Sequence, residues 1–319
     1  MKNKKCVLIL PYFGKFNNYF PLFLRSCGMN PDFEWIIFTD NKDEYNYPDN
    51  VHKVMTTLAE VKEIAERKFG FPVCLNSAYK LCDYKPAYGF LFEEYIVGYR
   101  YWGHCDCDLI FGKMDGFLDP LFDEGFDKIF AAGHLTLYKN SYENNRRFMK
   151  PYNNRLIYKE AFQTDKIYVF DEDIKDNNVH KLFLAEGVQV FQTDLSMNAS
   201  PRFSRFRRSY YNIEINAYQW ENFKKARYFW NKGHVTEVRY EDHMVKKTEY
   251  LYMHLQMRKM RVKAHVNEAD IYEIMPDRFV KRAYIPINKS QMRLFSINFT
   301  YLRKYDELIK KIRRKLNLL

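Results

Sequence analysis

Nowhere do the 319 residues offer the roughly 18 uninterrupted apolar positions that a membrane-spanning helix requires. The opening MKNKKCVLILPYFG has an apolar run only from Cys6 to Leu10, closed by Pro11, too short for a signal-peptide core. Cysteine is sparse: the six residues at 6, 27, 74, 82, 105 and 107 have no small secreted scaffold around them. Reduced thiols and a cytoplasmic setting are therefore expected, not a disulfide framework. The chain also lacks an internal repeat of about 20 to 50 residues and any low-complexity linker that would split it. Helix-turn-helix, zinc-finger and RNP-type patterns are missing too, so nucleic acid is not expected as a partner.

What is present is a large apolar and aromatic content. Hydrophobic residues make up 47% of the chain and aromatics 18%, enough to bury a substantial core and to offer stacking surfaces. The formal charge of +11 attracts anionic partners such as sugar nucleotides or lipid phosphates. Along the chain, Cys6 to Leu10, Trp35 to Phe38 and Val51 to Met55 read as buried strands, with helices at Phe20 to Cys27 and Leu58 to Lys68. A further helical stretch from Ser77 to Glu94 is interrupted at Pro86. Later strands are expected at Lys128 to Ala132, Tyr168 to Phe170, Gly187 to Gln192, Glu237 to Tyr240 and Tyr250 to Leu255. This alternation predicts an α/β fold, a mixed sheet flanked by helices.

In WGHCDCDLIFG two aspartates alternate with cysteines at the end of an apolar-aromatic run. Residues i and i+2 of an extended chain project to one side, so Asp106 and Asp108 are expected to converge on one point. Paired hard oxygen donors favour Mn2+ or Mg2+ and leave coordination positions for a diphosphate. Two solvated surface acids are the alternative for a bare D-x-D; the apolar run at Leu109 to Phe111 argues for the site. In FDED, Asp171 and Glu172 are candidates for acceptor binding or for the base that removes a hydroxyl proton, with an ordinary acidic loop as the alternative. His134 is a second acceptor-side candidate.

The segments PYFG, FTDN, KLCDYKPAYG, WGHCDCDLIFG and YMHLQMRKM together resemble GT-A glycosyltransferases, particularly bacterial members of surface-polysaccharide synthesis, over roughly residues 5 to 260. The resemblance implies a Rossmann-like GT-A domain over 1–260 and a C-terminal extension over 261–319. It implies Pro11, Tyr12 and Phe13, with Thr39, Asp40 and Asn41, around the nucleoside at strand ends. It implies Lys80, Asp83 and Lys85 around the sugar nucleotide, His254 as a third metal ligand, and Arg258 and Lys259 against the leaving diphosphate. The implied activity is hexosyl transfer from a nucleotide-sugar donor to a glycan or lipid-linked acceptor, with Mn2+ or Mg2+ as cofactor. A hydrolase or phosphotransferase using the same aspartates, or a noncatalytic basic binding protein, are the rival readings.

Two basic segments stand apart from these motifs. PRFSRFRRSY places arginines at 202, 205, 207 and 208 among Phe203, Phe206 and Tyr210, and reads as a loop near an anionic acceptor or a solvated face. YLRKYDELIKKIRRKLNLL has apolar residues at 302, 305, 309, 312, 316 and 319 and a basic opposite face. Such a helix is expected either to lie on the inner face of an anionic membrane as a peripheral contact or to dock on protein.

Overall fold

A computed structural model describes residues 4–202, 205–223 and 225–292, with 308, 309 and 312 near the end. The basic C-terminal helix expected over 301–319 lies, apart from those three positions, outside the described residues. The strands are β1 Lys4–Pro11, β2 Phe33–Thr39, β3 Val51–Met55, β4 Tyr99–Cys105, β5 Leu109–Phe111, β6 Lys128–Ile129, β7 Leu135–Lys139, β8 Val190–Phe191, β9 Ser196–Asn198, β10 Ser209–Asn212, β11 Ala217–Trp220, β12 Ala226–Asn231, β13 His234–Glu241, β14 Met244–Tyr250, β15 Tyr252–His254, β16 Ile271–Met275 and β17 Arg278–Lys281. The helices are α1 Phe20–Gly28, α2 Leu58–Phe69, α3 Leu81–Tyr84, α4 Tyr88–Leu91, α5 Asp115–Glu124, α6 Tyr142–Arg146, α7 Ile157–Phe162 and α8 Val179–Ala185.

A seven-stranded sheet in the order β3-β2-β1-β4-β7-β6-β8 forms the centre. Strands β3, β2, β1 and β4 run parallel, whereas β7 is antiparallel to both β4 and β6. The continuous apolar run of β1 follows from burial on both faces. Cys6, Leu8 and Leu10 enter one core with Phe20, Phe23 and Leu24 of α1 and Leu118 and Phe122 of α5. Val7 and Ile9 enter the opposite core with residues of α2, α4, α7 and α8. Helices thus cover both faces, which is the expected fold class. Helix α2 begins with a capping box between Thr57 and Glu60 and ends at Gly70 in the left-handed region, so its ends are set locally.

A smaller three-stranded sheet, β5-β15-β9, continues from the edge where β4 ends. Its residues also alternate: Leu109, Phe111 and Tyr252 join the core under α1, while Ile110 and Met253 join a third core with Trp230 and Tyr272. That third core is supplied by a five-stranded antiparallel sheet, β14-β13-β12-β16-β17. Pairing of β12 with β16 puts residues on both sides of position 260 in one sheet.

Several expected elements differ from those observed. The strand expected over Lys128 to Ala132 stops at Ile129, because Phe130 takes a positive φ of 74°. Tyr168 to Phe170 is not a strand: Val169 sits at φ 62°, a conformation no strand residue adopts. The stretch around Pro86 breaks into short helical turns, as its proline requires. The antiparallel sheet was legible only in fragments, since its strands carry polar residues where they face solvent.

Gly89 of α4 lies against the buried Trp102 of β4, and a Cβ there would come within 2.2 Å of the indole ring. Gly89→Ala is therefore expected to lower stability by about 1–3 kcal/mol through overpacking, measured by urea unfolding. A variant as stable as wild type would show that this helix–sheet contact is loose.

Candidate functional site

The aspartates lie in the connection between β4 and β5, not inside one strand as their spacing suggested. Convergence survives because the side chains still alternate: Cys105 and Cys107 point into the core under α1, and Asp106 and Asp108 point away from it. β15 pairs antiparallel with β5 so that His254 stands opposite Leu109, one residue from Asp108. Its Nε2 lies 3.3 Å from Asp108 Oδ1 and 3.9 Å from Asp106 Oδ2. One ligand atom from each of these three residues falls within 4.8 Å of the others.

The donor set fits a divalent cation. Asp108 Oδ1 is buried and has nothing against it but His254 Nε2 at 3.3 Å, while Oδ2 accepts from the Met257 backbone N–H. On the other side of the ring, His254 Nδ1 lies 3.0 Å from Asn198 Oδ1, which also accepts from Gln256. Two donors on one amide oxygen make Nδ1 the protonated nitrogen and leave Nε2 for a proton or a metal. Burial opposes charge on His254, but the Asp108 carboxylate outweighs it and raises the imidazole above its ordinary value. A field that retains a proton at Nε2 also retains a metal cation there.

Lys85 extends this network. Its ammonium lies 2.8 Å from Asp106 Oδ1 and 3.3 Å from Asp171 Oδ2, and donates to the Gly133 carbonyl. Burial opposes its charge, and the two carboxylates overcome that and keep it protonated. Gly133 leaves room for this arrangement: a Cβ there would come within 2.5 Å of the Asp171 carboxylate and displace it. Asp171 is buried, Glu172 is half-buried, and burial raises both carboxyls, Asp171 to about 7.

These groups share a cavity of about 1040 Å³ with Pro11, Tyr12 and Phe13 at the end of β1 and with Tyr218 and Trp220 of the β10–β11 hairpin. Thr39, Asp40 and Asn41 are not among its walls. Asp40 instead accepts from the Gly14 backbone N–H at 2.7 Å, and Asn41 donates to the Gly14 carbonyl, so they brace the loop that carries Tyr12 and Phe13.

Lys80 and Asp83 are likewise absent from the walls. They form a fully buried ion pair at 2.7 Å, because α3 turns that face inward. Asp83 accepts from the backbone N–H groups of Tyr168 and Phe170, and Lys80 donates to the Lys166 carbonyl. Their effect is to fix the loop that presents Asp171 and Glu172, including the left-handed turn at Val169. Arg258 lies outside the walls, its guanidinium donating to the Ser200 carbonyl over the Phe206 ring, and Lys259 is exposed away from them.

Residues missed from sequence include Asn198, the Lys85 bridge to Asp171, and the hairpin with Tyr218 and Trp220. Asn198 had no local signal, since only the parallel pairing of β9 with β15 sets it beside His254. The hairpin was legible in principle, as aromatic residues flank the Asn-rich turn 212–216. His134, also on the wall, bonds Tyr252 through Nδ1, and its ring lies 4.4 Å from that of His254.

A mixed α/β sheet with a carboxylate–imidazole triad in a cleft at its strand ends is the class that fold and site define. The chain belongs to the family described as a family of unknown function, DUF6625, whose profile matches residues 8–283. No curated protein matches it. Among solved structures it is similar to that of the galactosyltransferase LgtC in complex with donor and acceptor sugar analogues, with a TM-score of 0.33 and 10% identity. That likeness covers 61% of this chain and 76% of the other.

Two outcomes follow from the buried charges. Lys80→Met leaves the Asp83 carboxylate without its cation and is expected to cost about 3–5 kcal/mol in urea unfolding; a loss below about 1 kcal/mol would mean that the two backbone donors alone suffice. For Asp171, the folded value of about 7 lies above the unfolded value, so the native state holds an extra proton between the two. That stabilisation is complete below the unfolded value of about 3.9 and is lost as pH rises through about 7. The stability of wild type relative to Asp171→Asn should accordingly fall from about pH 5 to about pH 8; a flat difference would contradict the assignment.

Proposed function

We propose that the chain is a metal-dependent glycosyltransferase of the GT-A type, moving a monosaccharide from a nucleotide-diphosphate sugar to a hydroxyl of a glycan or lipid-linked glycan in polysaccharide biosynthesis. The observation that carries this reading is the meeting of Asp106, Asp108 and His254 on the wall of one large cleft that Pro11 at the end of β1 and Glu172 also line. A cleft of this size at parallel strand ends suits a nucleotide with its sugar.

Asp106, Asp108 and His254 are the residues that would hold Mn2+ or Mg2+. A divalent ion bound there supplies Lewis-acid neutralisation of the charge growing on the leaving diphosphate. Asn198 fixes the His254 tautomer, and Lys85 holds Asp106 toward the triad. Tyr12 and Phe13 wall the space beside the triad and provide faces for the base.

Glu172, with Asp171 pinned beside it by Lys85, is the carboxylate for the acceptor. It takes the hydroxyl proton as the acceptor oxygen bonds to the anomeric carbon, and the carbon–oxygen bond to the diphosphate breaks to release the nucleoside diphosphate. Burial raises its pKa, which strengthens it as a base. The inferred setting is the cytoplasm, consistent with six free cysteines. No helix among the described residues is long and apolar enough to cross a membrane.

Thermal unfolding in the presence of UDP- and GDP-linked sugars, with and without Mn2+, tests the reading. One nucleotide sugar is expected to raise Tm by several degrees only when Mn2+ is present, the stabilisation at a hundredfold excess over Kd being about 2.7 kcal/mol. Asp108→Ala should abolish the shift. A shift of equal size in that variant, or one indifferent to Mn2+, would remove the basis for the proposal.

A further inference from the structure

The mouth of the cleft has a chemistry that the transfer reaction alone does not need. Four large apolar side chains on four separate segments line the cleft and yet face solvent: Tyr79 at 75% exposure, Ile174 at 59%, Met257 at 59% and Trp220 at 43%. Exposed apolar groups scattered singly are ordinary, but four of them lining one cleft mark a surface that is covered in use.

Three cations line the same cleft, and two of them are matched: Lys85 by Asp106 and Asp171, and Lys181 by Asp173 and Asp176. Of the four arginines around 202–208, Arg208 is tied to the Asp194 and Ser196 carbonyls and to Glu221, Arg207 donates to the Glu221 carbonyl, and Arg205 stacks on Phe223. Arg202 differs. Its guanidinium lies 5.0 Å from the centre of the Trp220 ring, it lines the cleft, and no carboxylate pairs with it among the described residues. A guanidinium held on an aromatic face, with its donors uncommitted to any carboxylate, is set up for a planar or tetrahedral oxyanion.

Resting on the glycosyltransferase reading, we propose that the acceptor is a glycan carried on a lipid phosphate, with the phosphate seated on Arg202 and the first apolar units of the lipid against Tyr79, Ile174, Trp220 and Met257. The sugar end then points inward to Glu172 and the triad. A soluble polysaccharide leaves these apolar groups uncovered, and a bare phosphate does not use them. A flat anionic membrane offers no single chain to follow Arg202 into the cleft. The match of Arg202 with those apolar groups is what selects an amphiphile with one anionic group.

The protein supplies its own reporter. Trp35, Trp102 and Trp230 are buried, so acrylamide quenching of tryptophan emission reads chiefly Trp220. Full-length protein is titrated with a polyprenyl phosphate in zwitterionic detergent micelles. Protection of the quenchable emission is expected, with half-saturation raised roughly tenfold or more in Arg202→Ala and largely restored in Arg202→Lys. Equal protection by an uncharged polyprenol, by inorganic pyrophosphate, or by phosphatidylglycerol in the same micelles would each overturn the proposal. They would point to an apolar site, a soluble-anion site and a general anionic surface, respectively. Should Arg202→Ala fail to match the wild-type circular dichroism spectrum, the three ligand arms on the wild-type protein decide. Mn2+-dependent stabilisation by a nucleotide sugar is measured on the same preparation. Its survival alongside a failed micelle titration removes the acceptor assignment alone; its loss removes the transferase reading.

Discussion

Antiparallel pairing of Tyr252–His254 with Leu109–Phe111 is the contact on which the site depends. It carries the Met257 backbone to the side chain of Asp108 across 149 positions of sequence and sets an imidazole against two carboxylates. A register shift of one residue would turn His254 toward the third core and Met253 toward the aspartates, because side chains alternate at every step of a strand. The register is held by what lies on both sides of the small sheet: Phe111 and Tyr252 in the core under α1, Ile110 and Met253 against the antiparallel sheet. The five-stranded sheet thus does its work at a distance, by backing the strand that carries the histidine. The Trp230 indole donating to the Phe111 carbonyl ties the two layers directly.

Two largely buried lysines near the triad are matched by carboxylates. Lys85 sits between Asp106 and Asp171, and Lys80 is paired with Asp83, whose remaining oxygen positions accept backbone N–H groups. Ion pairs of this kind contribute little net stability, since desolvation offsets most of the attraction. Their consequence is geometric. Lys80 and Asp83 hold a loop in a conformation that Val169 would not adopt unaided, and that loop delivers two carboxylates to the cleft. Left-handed residues recur at Gln256 and Met257, just beyond His254. Val169, Gln256 and Met257 line the cleft, so the chain turns sharply at three points of its wall.

How much could be read before folding depended on whether a feature was local. The apolar run of β1, the amphipathic period of α2 and the aspartate spacing are properties of a few neighbouring residues, and they were sufficient for the α/β class, the first strands and helices, and the expectation that two acids converge. The same local reading put Thr39, Asp40, Lys80 and Asp83 around a ligand, and none of them lines the cleft, because a polar residue beside a strand end or helix break looks alike whether it faces a ligand or the chain's own backbone. Asp40 turned to the Gly14 amide and Asp83 to the Tyr168 and Phe170 amides.

The sequence by itself determined which early strands are buried, the elements built on apolar period, and the presence of two acids two residues apart, since these follow from side-chain alternation and burial over short stretches. Tertiary structure alone decided that His254, backed by Asn198, meets those acids, that Lys85 bridges Asp106 to Asp171, and that Arg202 stands with Trp220 on the wall of the same cleft. Each of these is a contact between segments far apart in the chain, fixed by strand register and loop closure, and neither leaves a trace in the identity of the neighbouring residues.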